Sequence, residues 1–364
     1  ARALVAEARA QLAHGVDPVN ARKAARQASR PTPLFKEVAA TVVADETRKS
    51  SNAKVGYRWG LLLGEKYSAP LLNRPISEIT ASDIAKHLKP LWHEKPETAS
   101  KYLDALRRVF EVARILLRDE HGISFQNPAT WADLRASGFE SAKKLTRGHH
   151  PSLRYSEMPV FIEALRDQSG VAPLMLEFTI LTAIRSGAAR LARWDEFDLD
   201  QAVWTVPLSS LKDRKHRSEG FRVPLPSRAV EILHEAQTLR LADSAIVFPS
   251  PRGKVFTDMA MAAVLKRMNG DGVGEPRWVD PADGRQITTH GFRSTFRVWV
   301  EEATAFKDTL AEHALGHQVG NAVERAYQRS DMVDQRRKLM DAWAQHCEPS
   351  QAGNNVLTFE RRAQ

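Results

Sequence analysis

Apolar positions recur at helical spacing over most of this chain, so the pattern predicts a largely α-helical molecule. The spacing is clearest in LFKEVAATVV (34–43) and ASKYLDALRRVFEVARILL (99–117), and residues 33–136 read as helical throughout. Within that span PISEITASD (75–83) breaks the pattern and offers Thr80 or Ser82 as N-cap of the next helix. Upstream, residues 1–29 read as two short helices split at 15–18, with Asp17 as cap and Pro18 at the first helical position. Periodicity is lost over 137–153 (SGFESAKKLTRGHHPSL) and resumes at Ser156. That gap reads as a linker between two domains; the alternative is a long surface loop inside one. Beyond it the pattern is mixed. Helices are expected at 156–168 and 172–184, short strands near 203–207 and 221–225, and helices at 227–241 and near 257–268. A Gly-rich stretch (269–285) reads as a flexible loop, residues from about 288 to 345 as helical, and the tail beyond Pro349 as weakly patterned. The expected class is mainly α with a small β-sheet.

Composition narrows the function. A hydrophobic share of 43% and a charged share of 27% are ordinary for a globular protein, and 364 residues suffice for two domains. No run of about 18 apolar residues exists, so no transmembrane helix is expected. The opening ARALVAEARAQLAHG reads as an amphipathic charged helix rather than a signal peptide, and its start in mid-helix without Met predicts a fragment of a longer protein. The net charge of +9 favours nucleic acid or an anionic membrane surface as partner, against the plain alternative of a merely basic protein. Cys347 is the sole cysteine, which excludes an internal disulfide and fits a reducing cytoplasm.

Candidate chemistry is spread along the second half. Arg185 follows the apolar run LMLEFTILTAI (174–184); so placed, it needs an anion, either a phosphate or one of Asp195, Glu196 and Asp198. The stretch KDRKHRSEGFR (212–222) joins the two predicted strands and reads as a solvated hairpin tip or as a basic tip reaching a DNA groove. Lys212, Arg214, Lys215 and Arg217 are its candidates for phosphate contact, and Lys143, Lys144 and Arg147 those of the linker. HGFR sets His290 and Arg293 on one face of a helix, where a plain surface pair is the alternative. His313 and His317 have the spacing of a zinc pair, but the HExxH glutamate is absent and Gly316 is expected to end that helix. Gly270, Gly272 and Gly274 follow no strand and lack the Lys-Ser/Thr of a phosphate loop, and DEFDLD (195–200) lacks calcium-loop spacing. Tyr327, flanked by Arg325 and Arg329, reads either as a core or capping tyrosine or as an accessible phenol whose phenolate the cations stabilise. Together Arg185, Lys212, His290, Arg293, His317 and Tyr327 supply cations for a phosphate, proton-transfer groups and a hydroxyl nucleophile. That set suits transesterification of a phosphodiester, and nothing in it calls for a metal or another cofactor.

In this order TAIRSGAARLARWDEFDLD, WTVPLSSLKDRKHRSEGFRVPL, THGFRSTFRVW and LGHQVGNAVERAYQRSD resemble the catalytic domain of tyrosine recombinases (phage integrases), in particular those of satellite phages and genomic islands. PETASKYLDALRRVFEVA resembles that subgroup's core-binding domain, and ARAQLAHGVDPVNARKAAR the last part of its arm-type DNA-binding domain, most of which is then missing. The resemblance implies an arm-domain remnant at 1–30, a helical SAM-like core-binding domain at 33–136, a basic linker at 137–153, an α+β catalytic domain at 154–347 and a mobile tail at 348–364. It also implies roles. Arg185 and Arg293 would clamp the phosphate, and Tyr327 would form a 3′-phosphotyrosine. Lys212, or Lys215 close by, would protonate the leaving 5′-oxygen. His290 would accept the tyrosine proton, and His317 would bond the phosphate. Ala188 stands where the family usually carries an acid. Implied partners are double-stranded DNA attachment sites, a homo-tetramer on that DNA, a host DNA-bending protein and an excisionase, without ATP, metal or membrane, in the bacterial cytoplasm at the nucleoid. The alternatives are a type IB topoisomerase-like enzyme and a DNA-binding integrase relic weakened at Ala188. Residues 331–347 read as a helix that closes its own domain or, as the family often does, is exchanged between neighbours.

Overall fold

A computed structural model describes residues 31–50, 53–141, 148–211, 217–240, 244–317 and 331–349, with short stretches at 12–15, 17–20 and at 23. The chain divides into two compact units, 1–148 and 149–364, each with its own core.

The first unit is helical: α1 (Phe35–Arg48), α2 (Ala53–Leu63), α3 (Glu65–Ser68), α4 (Ala81–Glu94), α5 (Pro96–His121) and α6 (Trp131–Ala136). Helix α5 shows why the pattern was readable. Ala99, Tyr102, Leu103, Leu106, Val109, Phe110, Ala113 and Leu117 form one buried stripe, and Gly122, at φ 65°, stops the helix in the left-handed conformation. Of the two candidate caps for α4 the structure uses Thr80. Its hydroxyl accepts the Asp83 N–H at 3.2 Å, and Asp83 accepts the Thr80 N–H at 2.9 Å. Near the start of the chain, Asp17 accepts the Val19 N–H at 2.9 Å, the bond expected of a cap.

The second unit is α+β. It comprises α7 (Met158–Arg166), α8 (Val171–Leu181), α9 (Ser186–Leu191), β1 (Phe197–Asp198), β2 (Val203–Val206), β3 (Phe221–Pro224), α10 (Ser227–Thr238), α11 (Ala260–Met268), α12 (Gly291–Ala303), α13 (Asp308–Ala314) and α14 (Val333–Cys347). The strands form an antiparallel sheet in the order β1-β2-β3, with Trp204 opposite Val223 and Thr205 opposite Arg222. Helix α8 is buried all round, which makes it the core helix of the unit. Its one charge, Glu177, is satisfied by Arg166 at 2.8 Å and Arg228 at 2.9 Å.

Several elements differ from the sequence pattern. Helix α8 stops at Leu181 rather than 184, because Ala183 turns the chain at φ 48°. The Gly-rich loop, expected to be flexible, is pinned. The Asn269 side chain bonds both backbone groups of Trp278, and buried Asp280 accepts N–H groups from Ser152 and Ala282. The last residues of the predicted linker belong to the second unit: Leu153 is in its core and Pro151 accepts the Thr288 N–H. Helix α14 packs into its own unit, burying Leu339, Met340, Trp343 and Cys347. The Trp343 indole donates to the Ile180 carbonyl at 3.0 Å, and Arg166 holds Glu348 just beyond with two bonds of 2.9 Å. Residues 350–364, the bulk of the predicted tail, lie outside the described residues. No described helix is long and apolar enough to cross a membrane.

Candidate active site

Of the six candidate catalytic residues, Arg185, His290, Arg293 and His317 are described, while Lys212 and Tyr327 lie outside the described residues. The Arg293 guanidinium ties three sequence motifs together. It sits in the first turn of α12, only 6% exposed. Its Nη1 donates to the Ala183 carbonyl at 2.5 Å; its Nη2 donates to the Leu315 carbonyl at 2.7 Å and faces His317 Nε2 at 3.0 Å. TAIRSG and LGH are thus gathered onto HGFR by one planar fork, which a point-charge lysine could not imitate. The early end of α8 now has a reason: the left-handed Ala183 turns its carbonyl toward Arg293. Burial first, and then the charge of Arg185, pull the Arg293 pKa down to about 10, with Glu312 opposing. Arg293 therefore remains a cation at neutral pH.

Arg185 is half-buried at the N-cap of α9. The carboxylates that might have neutralised it are engaged elsewhere. Asp195 pairs with Arg193 at 3.4 Å, Glu196 accepts from the Trp204 indole at 2.9 Å, and Asp198 accepts the Gln201 N–H at 2.9 Å. Among the described residues none forms an ion pair with Arg185. Two arginines close enough to feel each other, one without a described counter-ion, make a site that favours a multiply charged anion.

His317 stands just after Gly316, whose φ of 67° ends the α13 turn. Its ring is held on both sides, with Nε2 at Arg293 and Nδ1 at Glu312 Oε2, 2.6 Å away. Burial alone would raise the Glu312 pKa, but its bonds to His317 and Arg297 outweigh this and leave it below the usual carboxylate value. His290 occupies the N-cap position of α12 and is exposed, while Arg293, three residues on, is buried. The His150 ring packs edge-on to that of His290, their centroids 4.5 Å apart. This contact follows from Gly291. A Cβ there would lie 1.9 Å from the Pro151 carbonyl, so only glycine lets the 149–152 segment cross the start of α12.

The DNA-contact candidates fare unevenly. Lys143, Lys144, Arg147, Arg214 and Lys215 lie outside the described residues. Arg217 is half-buried. It donates to the Gly316 carbonyl at the end of α13 at 2.9 Å and stacks 5.2 Å over the Phe221 ring. His317, one of the two histidines with zinc spacing, bonds Glu312 through Nδ1; among the described residues no cluster of three metal-ligating side chains occurs. Sequence reasoning missed Glu312, His150 and the carbonyls of Ala183 and Leu315. Glu312 stands five positions before His317 across a helix end, where no periodic rule links them.

Residues 151–333 match the model of the phage integrase family, and residues 35–132 that of the phage integrase central domain. Prophage integrase IntZ of Escherichia coli (strain K12) is 31% identical over 362 residues, covering 97% of this chain and 81% of that protein. The integrase of Enterobacteria phage P4 is 27% identical over 363 residues, covering 95% and 76%. A lambda integrase dimer bound to a COC′ core site shares the fold with a TM-score of 0.59 at 16% identity, over 99% of this chain and 89% of that one. A lambda integrase tetramer bound to a Holliday junction gives 0.59 at 16% identity, over 82% and 81%. Fold and sequence together define a site-specific recombinase of the tyrosine class. The chain belongs to the phage integrase family.

Proposed function

We propose that this integrase cleaves and rejoins double-stranded DNA at attachment sites through a 3′-phosphotyrosine, moving a mobile element into and out of a chromosome. The observation that carries the reading is the tie of Arg293 to Ala183, Leu315 and His317, with Arg185 beside it and unpaired among the described residues. A pentavalent phosphorane carries more charge on its non-bridging oxygens than the ground state, and fixed guanidinium donors favour it differentially. The Tyr327 oxygen forms the new bond to phosphorus, with His290 accepting the phenolic proton. The bond to the 5′-oxygen breaks, and Lys212, or Lys215, protonates that oxygen. The same steps in reverse, with another strand's 5′-hydroxyl attacking, reseal the DNA. The link conserves the phosphodiester energy, so ATP is not needed, and the arginines do the electrostatic work a metal would otherwise do.

The net charge of +9 and the DNA complexes formed by the lambda relative support duplex DNA as partner, and the Holliday-junction tetramer of that relative supports assembly of four protomers. A suicide substrate that traps the cleaved strand tests the reading. Wild type should give a covalent adduct on a denaturing gel, in EDTA as well as without it. Tyr327→Phe should give none while its DNA affinity stays nearly unchanged, because only the nucleophilic oxygen is removed. An adduct in the Phe variant would remove Tyr327 from its role. A wild type that binds DNA without an adduct would favour the relic. Strand exchange between two sites separates a recombinase from a topoisomerase, which religates the same strand.

A further inference from the structure

We infer that Glu312 is a positioning residue that fixes which nitrogen of His317 carries the hydrogen and which faces the phosphate. The inference rests on the reading that this site holds a phosphodiester. Its geometry comes from a chain of four side chains: Arg297, Glu312, His317 and Arg293. Arg297 Nε donates to Glu312 Oε1 at 2.9 Å. Glu312 Oε2 lies 2.6 Å from His317 Nδ1. His317 Nε2 lies 3.0 Å from Arg293 Nη2. The His317 backbone N–H also donates to the Glu312 carbonyl at 2.9 Å, so main chain and side chain of one residue set both the position and the rotation of the ring.

Donor and acceptor logic fixes the hydrogens. A guanidinium only donates, so His317 Nε2 must accept from Arg293. A carboxylate only accepts, so His317 Nδ1 must carry the hydrogen that goes to Glu312. Without DNA, the ring is therefore the Nδ1–H form with its bare Nε2 toward the phosphate side. When a phosphate arrives, Nε2 can donate to a non-bridging oxygen only by gaining a proton, since Glu312 keeps the hydrogen on Nδ1. The result is an imidazolium between two anions, Glu312 behind and phosphate in front. The partner behind the ring sets the tautomer in the way that carboxylates set those of metal-binding and catalytic histidines.

Arg297 makes the test sharp. In Glu312→Gln the amide has one oxygen and one NH2. Arg297 also pairs with Glu301 and Asp308, both at 3.2 Å, and this fixes its donor against position Oε1. The glutamine oxygen must turn to Arg297, and its NH2 then faces His317 Nδ1. That nitrogen must now accept, which moves the ring hydrogen to Nε2, where it opposes Arg293 and offers the phosphate a neutral donor in place of the stronger imidazolium. The isosteric variant thus inverts the tautomer, whereas Glu312→Ala only leaves it unguided.

The experiment has two arms on the full chain. Selective 15N labelling of histidine, with the His317 signal assigned through His317→Asn, reads the tautomer directly. Wild type should show hydrogen on Nδ1, and Glu312→Gln should show it on Nε2. Single-turnover cleavage of the suicide substrate should fall about ten- to hundredfold in Glu312→Gln, at unchanged DNA affinity and melting temperature, and at least as far as in Glu312→Ala. Adding Arg297→Leu to Glu312→Gln should restore part of the rate, since the glutamine oxygen is then free to turn to His317. A wild-type ring with hydrogen on Nε2 overturns the inference without any variant. So does a Gln variant that cleaves at the wild-type rate. If wild type forms no covalent adduct at all, the phosphodiester reading has failed, and the NMR arm still decides whether Glu312 governs His317.

Discussion

Among the described residues of the second unit two arginines are buried, Arg293 at 6% exposure and Arg336 at 1%, and both have their pKa pulled down to about 10, first by burial. Both donate to two backbone carbonyls: Arg293 to Ala183 and Leu315, Arg336 to Asp331 and Arg222. By these measures they are twins, yet their surroundings differ. Arg336 stacks on Phe221 at 4.8 Å and has the Asp331 carboxylate 3.8 Å away, a pull stronger than the push of either Arg222 or Arg217. For Arg293 the stronger neighbouring charge is that of Arg185, with Glu312, behind His317, pulling the other way more weakly. Burial and a shifted pKa alone do not mark a functional cation. The sign of the strongest neighbouring charge separates the two: a buried cation whose nearest strong charge is another cation carries a cost that structure alone does not explain, and an anionic ligand removes it.

The largest effect is expected from removing the helix that carries Arg336. Truncation before Asp331 strips Leu339, Met340, Trp343 and Cys347 from the core. Losing even one such side chain costs about 2–5 kcal/mol, so their joint loss exceeds the roughly 5–15 kcal/mol that holds a domain together. The truncated protein should lack a cooperative melt for the second unit and should not cleave. This replaces the outcome expected if the helix were exchanged between neighbours, in which single-site cleavage survives truncation. A truncated chain that melts cooperatively and cleaves would restore the exchanged-helix reading.

The next effect separates the twins. Arg293→Lys keeps the charge but cannot reach Ala183, Leu315 and His317 together. Cleavage should fall by about 10²–10³, the usual loss for one oxyanion donor, with DNA affinity changed far less. Arg336→Met should do the opposite. It leaves the Asp331 and Arg222 carbonyls without their donors, at about 1–3 kcal/mol of stability, while the folded fraction cleaves within about 0.5 kcal/mol of the wild-type barrier. Chemical denaturation and single-turnover rates on both variants check the pair. Equal losses of rate would mean that the neighbouring charge does not distinguish them.

The same contrast shows what a sequence can reveal. The helices of the first unit were legible because a stripe such as that of α5 depends on spacing alone. Arg185, His290, Arg293 and His317 were legible because each sits in a short motif, and the motifs keep their order. Three features were not. The left-handed Ala183 looks like the last turn of an apolar helix, and nothing local shows that its carbonyl is needed by a guanidinium far along the chain. Gly291 looks like a helix start, while the reason for it is the Pro151 carbonyl, well over a hundred residues away. Arg217 reads as one more cation of a basic run, and its bond to the Gly316 carbonyl, 99 residues away, has no local signal. Strand β1 is too short for any alternation to register. What escaped are long-range polar contacts, where a partner's identity is set by the fold and not by periodicity.

The smallest effect tests the other side of the arginine pair. Ala188 is buried in the first turn of α9, three residues after Arg185, and its N–H bonds the Arg185 carbonyl at 2.9 Å. A glutamate there would stand near the positive end of a helix and beside an arginine that pairs with no described carboxylate, both favourable to its charge. Against this, the surrounding core disfavours a carboxylate. If the carboxylate reaches Arg185 or a neighbouring site group, Ala188→Glu should leave the cleavage rate unchanged or raise it, by up to about 1 kcal/mol of barrier, the worth of one added hydrogen bond. Single-turnover cleavage measured beside a thermal melt separates this from lost stability. A clear fall in rate in a variant that still melts as wild type would mean that Arg185 needs its charge uncompensated until the phosphate arrives, extending to Arg185 the rule drawn from Arg293.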